Sequence, residues 1–186
     1  QVKKTEILEK TKDFYFFLGR NSYYKGITIL MQAIEIYFKK GGKYNFVIAG
    51  DNFKMSFHDE FKTRVLLVKK SINEKEKYSY LRSARSFLFP SIEVSEAFGI
   101  VQVEAMSQGT PVINTSLKSG VPWVSLHKIT GLTVGAKNPK ELAEAILKMD
   151  SETLITKYGI SAYRRYRDVF SEDSCKPQLI GYFDEI

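Results

Sequence analysis

Phe-Leu-Phe-Pro-Ser-Ile-Glu-Val-Ser-Glu-Ala-Phe-Gly-Ile-Val-Gln-Val-Glu-Ala-Met-Ser-Gln-Gly-Thr-Pro-Val, residues 87 to 112, reads as a strand, a loop and a helix in succession. A short apolar run from Ser86 to Phe89 stops at Pro90. A turn-prone segment carrying Glu93 and Glu96 follows, and a helical pattern runs from about Phe98 to Gln108. In an open parallel sheet, ligands sit beyond the carboxyl ends of the strands, where the next helix presents its N-terminus. The N–H groups around Phe98, Gly99 and Ile100 point outward there with about half a unit of positive charge behind them, which suits a phosphate. Gly99 lets an anion approach the backbone closely. The active site is expected here.

Glu96 and Glu104 raise the question of a paired acid and base. A glycosidase pair stands roughly 5 to 9.5 Å apart. If most of the interval between the two is helical, at about 1.5 Å per residue, they lie about 12 Å apart along the axis. That is too far for a shared proton transfer. It suits gripping two ends of one elongated ligand by accepting hydrogen bonds from its hydroxyls. The plainer alternatives are that Glu96 is a helix N-terminal charge and Glu104 part of a solvated face.

On the amino side of this stretch, Phe14-Tyr15-Phe16-Phe17-Leu18 is a continuous apolar run of strand length, which suits a strand buried on both faces. Gly19-Arg20, a polar loop and Lys25-Gly26 come next. From Ile27 the positions Leu30, Met31, Ile34, Tyr37 and Phe38 repeat at helical spacing, and Gly41-Gly42 ends that helix. Phe46 to Ala49 is a second strand closing on Gly50-Asp51, and Val65 to Val68 a third after a mixed segment with His58. Asn73 caps a charged helix reaching about Ser83. On the carboxyl side, Pro111-Val112-Ile113 reads as a fifth strand, Ser119 to Trp123 as a turn, and Gly131 to Val134 as a sixth strand. Asn138-Pro139 opens a helix through Met149, with Pro139 where its missing N–H costs nothing. Ser151 to Ile186 reads as helical, interrupted near Phe170 to Ser174.

Strands alternating with helices predict an α/β fold: a Rossmann-like, doubly wound, mostly parallel sheet of about six strands with helices on both faces. One domain spans 1–186, with a lead-in over 1–13 and C-terminal helices over 151–186. The 186 residues, 44% hydrophobic and 26% charged, support one well-packed domain and at most two small ones. The chain starts at Gln1 rather than Met, as a fragment would. No apolar run approaches the ~18 residues of a membrane span, and no signal peptide is visible. Cys175 is the one cysteine, so no internal disulfide forms and a cytoplasmic setting is expected. The formal charge of +7 favours anionic partners, including peripheral contact with the inner face of an anionic membrane. Nothing resembles a nucleic-acid-binding motif, and no nucleic acid partner is expected. His58 and His127 have no Cys or His companions and read as surface or packing residues rather than metal ligands.

Arg20 and Lys25 fall just past the first strand, on the sheet edge that also carries the helix N-terminus after Glu96. Arg binds an oxyanion bidentately and Lys acts as a point charge, a fitting pair for a diphosphate. Taken with Gly50-Asp51, Pro90-Ser91 and Glu96 through Val112, these residues resemble the C-terminal domain of a GT-B glycosyltransferase. More narrowly they are similar to the large retaining family four, with its Glu-x7-Glu motif. Gly120-Val121-Pro122, Thr130-Gly131-Leu132 and the tail with Phe170 and Tyr182 fit the same pattern, so the resemblance covers nearly the whole chain from about Phe14.

The resemblance implies a nucleotide-sugar donor, UDP- or GDP-linked, with Gly19, Arg20 and Lys25 at the diphosphate. Glu96 and the backbone of Phe98, Gly99 and Ile100 would hold the donor sugar and its phosphate. Glu104 would accept from the ribose hydroxyls, and the loop from Lys70 to Ile72 would lie beside the base. Arg20, Lys25 and Glu96 would carry catalysis, the cations and the helix dipole stabilising charge on the leaving nucleoside diphosphate, with no metal or other cofactor required. Lys70 stands where a Gly is common in the family. Trp123 stands where Glu is commoner, so that loop is expected to pack differently or to meet the acceptor. Such enzymes have a second, N-terminal Rossmann-like domain for the acceptor. The 186 residues leave no room for it, which implies a donor-binding half that is inactive by itself. The expected function is hexose-type transfer, with retention, to a glycan or lipid-linked acceptor in polysaccharide or glycolipid biosynthesis. The alternatives are another GT-B enzyme, such as a sugar-nucleotide epimerase or phosphorylase, and a non-catalytic nucleotide-binding module that uses the +7 charge.

Overall fold

The run Phe14-Tyr-Phe-Phe-Leu18 has no polar residue to offer to solvent, and it lies inside a sheet. The computed structural model describes residues 13–51 and 57–177. Its strands are β1 (Phe14–Leu18), β2 (Asn45–Ala49), β3 (Val65–Val68), β4 (Phe87–Leu88), β5 (Val112–Thr115) and β6 (Gly131–Val134). All pair parallel, in the order β3-β2-β1-β4-β5-β6, with Phe14 opposite Asn45 and Phe16 opposite Phe87. Parallel neighbours need long crossovers, and helices supply them. These are α1 (Ile27–Lys39), α2 (Asp59–Lys62), α3 (Glu74–Ser83), α4 (Ile100–Ser107), α5 (Val121–Val124), α6 (Pro139–Lys148) and α7 (Glu152–Arg165).

Alternate residues of a strand point to opposite faces, and β1 shows the consequence. Tyr15 and Phe17 pack with Leu30 and Ile34 of α1 and with Leu142 and Ile146 of α6. Phe14 and Phe16 pack with Tyr80 and Leu81 of α3 and with Val103 and Met106 of α4. The sheet is therefore covered on both sides, as expected for a doubly wound fold. Helix α7 contributes Ile155 and Tyr158 to the first layer and Ala162 to the second.

Several local boundaries differ from the sequence reading. Helix α4 begins at Ile100, not near Phe98, because Gly99 takes a left-handed φ of 75° and caps it. The expected turn from Ser119 to Trp123 overlaps the single-turn helix α5, which runs on to Val124 and whose first turn accommodates Pro122. Helix α2 and a 3-10 turn at Tyr23–Lys25 were not anticipated, since elements of three or four residues have no period to detect. Asn73 does cap α3, in a reciprocal capping box with Glu76. Asn138 caps α6, where it accepts from Glu141 N. Helix α7 runs into a π-helical turn at Tyr166–Phe170 and breaks at Ser171 before helical residues 172–177. The lead-in over 1–12, the helices expected beyond 177 and Tyr182 lie outside the described residues. Among the described residues, no helix is long and apolar enough to cross a membrane.

Candidate functional site

The strand order reverses between β1 and β4, and the loops leaving those two strands open the crevice at the carboxyl edge of the sheet. After β1 come Gly19, Arg20 and the 3-10 turn that presents Lys25. After β4 come Ser91, Glu96 and the Gly99 cap of α4. The two loops are tied together by Ile92 N, which donates to Tyr24 O at 2.8 Å, and the β4 loop is held to the end of β5 by Thr115 Oγ1, which donates to Ser91 O at 2.6 Å. Gly26 is needed at this junction, because a Cβ there would stand 1.9 Å from Pro90 O.

A cavity of about 380 Å³ fills the crevice, with Gly19, Arg20, Lys25, Glu96, Gly99 and Glu104 among its walls. Lys25 Nζ donates to Glu96 Oε2 at 2.5 Å, and Ser91 Oγ donates to the same oxygen at 3.2 Å. Arg20 has no carboxylate partner among the described residues. Its Nη2 makes a long contact, 3.4 Å, with Tyr24 Oη. Ile100 and Val101 also line the cavity, and they belong to the first turn of α4, whose amides an α-helix cannot bond internally. The crevice therefore offers a guanidinium, an ammonium and a helix amino end to an anion, with two carboxylates to accept from hydroxyls.

A second cavity of about 210 Å³ adjoins the first, sharing Leu18, Gly19, Arg20 and Lys77 with it, and is walled by Gly50, Asp51, Lys70, Ser71 and Ile72. A larger cavity, about 470 Å³, runs along α7 beside Gly109, which precedes β5. It thus sits toward the amino ends of the strands, the edge where open parallel sheets do not place ligands.

Of the residues singled out from sequence, Gly19, Arg20, Lys25, Glu96, Gly99, Ile100 and Glu104 share the first cavity, and Ile72 the second. Phe98 lines neither. Its ring packs against Trp123 and Phe170, and its carbonyl accepts from Gln102 Nε2 at 3.0 Å. Glu104 is not part of the solvated face of the simpler reading, and Glu96, ahead of the α4 amino end, is sheltered as well. The Glu96 side chain is 12% exposed and that of Glu104 22%, and each is paired with a lysine.

Lys77 is the residue that the sequence did not single out. It lies in α3, lines both cavities, and donates to Glu104 Oε1 at 2.8 Å. Burial works against its charge, yet the hydrogen bond to Glu104 and the attraction of that carboxylate outweigh it, holding the ammonium above the ordinary lysine range. Lys75-Glu76-Lys77 reads as one more charged stretch on a helix, and no local signal marks which of its charges turns inward.

Residues 1–163 match the family model of glycosyl transferases group 1. The chain belongs to that family. Among curated relatives it is 27% identical, over 87% of its length, to O-antigen chain mannosyltransferase C of Escherichia coli. It is 28% identical, over 85% of its length, to D-rhamnosyltransferase WbpZ of Pseudomonas aeruginosa. The chain spans less than half of these relatives, 43% and 42% of their lengths. Its fold matches HepE of Anabaena, solved in complex with UDP, with a TM-score of 0.80 at 16% identity, covering all of this chain and 52% of that one. It also matches the C-terminal domain of the group 1 protein LpcC of Francisella tularensis, with a TM-score of 0.74 at 18% identity, covering 92% of this chain and 93% of that one.

Proposed function

We propose that this chain is the donor-nucleotide half of a retaining glycosyltransferase. It binds a nucleoside-diphosphate sugar in the crevice between the β1 and β4 loops. The observation that carries this reading is the convergence of Arg20, Lys25 and the amino end of α4 on one cavity with Glu96 and Glu104. The diphosphate lies across Arg20 and Lys25. Glu104 accepts from the ribose, Glu96 accepts from the sugar hydroxyls, and the base extends into the adjoining cavity beside Ile72.

In the reaction, the bond from the anomeric carbon to the β-phosphate oxygen breaks, a bond to an acceptor oxygen forms on the same face of the sugar, and the acceptor's proton passes to the departing phosphate. Negative charge grows on the departing diphosphate. Cations and amides already aimed at it lower the barrier without reorganising. The acceptor, a glycan or a lipid-linked sugar, is held by a second domain. Relatives named for mannose and rhamnose transfer favour a hexose-type sugar, and a neighbour solved with UDP-glucose makes UDP the first nucleotide to try.

Calorimetric titration with UDP, GDP and ADP, then with the matching sugar nucleotides, tests this. One diphosphate binds, and both Arg20→Ala and Glu104→Ala weaken it by about tenfold or more, or about 1.4 kcal/mol. Binding that survives Glu104→Ala and merely falls uniformly with salt marks instead a general anion-binding module.

A further inference from the structure

We infer that Lys77 is a positioning residue: its ammonium fixes the Glu104 carboxylate for the nucleotide's ribose and so sets the preference for ribonucleotides over 2′-deoxyribonucleotides. This rests on the donor-site reading and adds to it a residue and a specificity. Lys77 and Glu104 come from different helices, α3 and α4, and meet at 2.8 Å with side-chain exposures of 15% and 22%. A pair this sheltered is screened far less than a surface one. The rival partner for Lys77 is Glu74, one turn back on the same helix. It stands at 3.6 Å with a side chain 86% exposed, so Glu104 is the carboxylate that holds the ammonium.

The geometry leaves a division of labour within one carboxylate. Oε1 is occupied by Lys77, and among the described residues Oε2 has no hydrogen-bond partner. A carboxylate only accepts. Glu104 lines the cavity, and a fixed, unoccupied Oε2 there rewards a hydroxyl and gains nothing from a hydrogen. Sites built to bond a hydroxyl discriminate strongly against analogues that lack it, because the protein group is left unpaired. Lys77 also offsets the Glu104 charge, which otherwise stands in a cavity shaped for a diphosphate and repels it. Its place on the walls of both cavities puts it at the passage between phosphates and base, where the ribose must lie.

The test compares the tightest binder among UDP, GDP and ADP with its 2′-deoxy counterpart, by calorimetry, on the wild-type chain and on Lys77→Met, Lys77→Arg and Arg20→Ala. The wild-type chain prefers the ribonucleotide by about tenfold or more, and Lys77→Met shrinks that ratio to about twofold or less. Lys77→Arg keeps most of the ratio. Arg20→Ala weakens both nucleotides alike and leaves the ratio intact. A merely structural tie between α3 and α4 would lower the melting temperature of Lys77→Met without moving the ratio, and that result overturns the proposal. Should the methionine variant melt early, Lys77→Gln makes the same comparison. If the wild-type chain binds none of the six nucleotides, the donor-site reading fails and the proposal with it. If it binds and Arg20→Ala weakens it while the Lys77→Met ratio stays put, only the proposal falls.

Discussion

Lys25 Nζ stands 2.5 Å from Glu96 Oε2, joining the two loops that leave the sheet where its strand order reverses. Both side chains are sheltered, 15% and 12% exposed, and Ser91 shares the Glu96 oxygen. A diphosphate arriving at Lys25 competes with this carboxylate, whereas a sugar hydroxyl arriving at Glu96 does not. Glu96→Gln therefore separates the two roles. Bare nucleoside diphosphate binds more tightly by about fivefold, or ~1 kcal/mol. The sugar nucleotide, by contrast, loses its advantage over the bare diphosphate. Titrating both ligands into the variant decides the matter, and weaker binding of the bare diphosphate would show that Glu96 does not compete.

Gly99→Ala tests the wall of the cavity. At a φ of 75° an alanine pays about 1 to 2 kcal/mol for the left-handed backbone. Its Cβ would also stand 2.4 Å from Phe89 Cζ, on a ring that is only 2% exposed and has little room to move. The sum is a loss of about 2 to 4 kcal/mol in urea unfolding. Nucleotide affinity falls as well, even where the variant stays folded, because the amino end of α4 shifts.

The fold was legible because most strands carry a short apolar run and the long helices repeat at their own period, so β1 and α1 announce themselves from Phe14 to Phe38. The site was legible where local chemistry marks it. Glycine at position 99, carboxylates eight residues apart and cations just past a strand all point to one crevice. What stayed hidden depends on distant partners or on very short elements. Lys77 is one lysine of a charged helix until α4 brings Glu104 within 2.8 Å of it. The reading of Phe98 concerned its backbone N–H and left open where its ring goes. The αL turn at Gly99 begins the helix two residues later, and the Phe98 ring joins Trp123 and Phe170.

Trp123, the chain's one tryptophan, gives a direct optical probe of that arrangement. Its ring lies 6.1 Å from Phe98 and 5.4 Å from Phe170, and the Arg165 guanidinium stands 5.1 Å from its centroid. Arg165 also donates to Trp123 O at 2.6 Å and Val124 O at 2.9 Å, fastening α7 to α5. Trp123→Ala removes two aromatic pairs and a cation–π contact at a half-exposed site, a loss of about 1 to 3 kcal/mol in urea unfolding. Because Phe98 adjoins the Gly99 wall, nucleoside diphosphate shifts the tryptophan emission of the wild-type chain, and Arg20→Ala moves the midpoint of that shift to about tenfold higher concentration or beyond.

Beneath α1 and α6, Tyr15 Oη donates to Asp150 Oδ1 at 2.6 Å, and Tyr37 Oη donates to the same carboxylate at 2.9 Å. Burial, with the adjacent Asp150 charge, pushes both phenols well above the ordinary tyrosine value. A raised pKa means that the folded chain keeps protons that the unfolded chain releases. This contribution is complete below about pH 10, where an unfolded tyrosine begins to ionise, and is lost as pH rises toward the folded values. Each such tyrosine lowers stability by about 1.4 kcal/mol per pH unit in that window. At neutral pH, Tyr15→Phe costs about 1 to 3 kcal/mol, since Asp150 loses a buried donor. Above pH 10 the same variant declines less steeply than the wild type, and the gap between them closes. Urea unfolding at pH 7, 10 and 11 reads both effects. Parallel declines would show that Tyr15 ionises as readily in the folded chain as in the unfolded one.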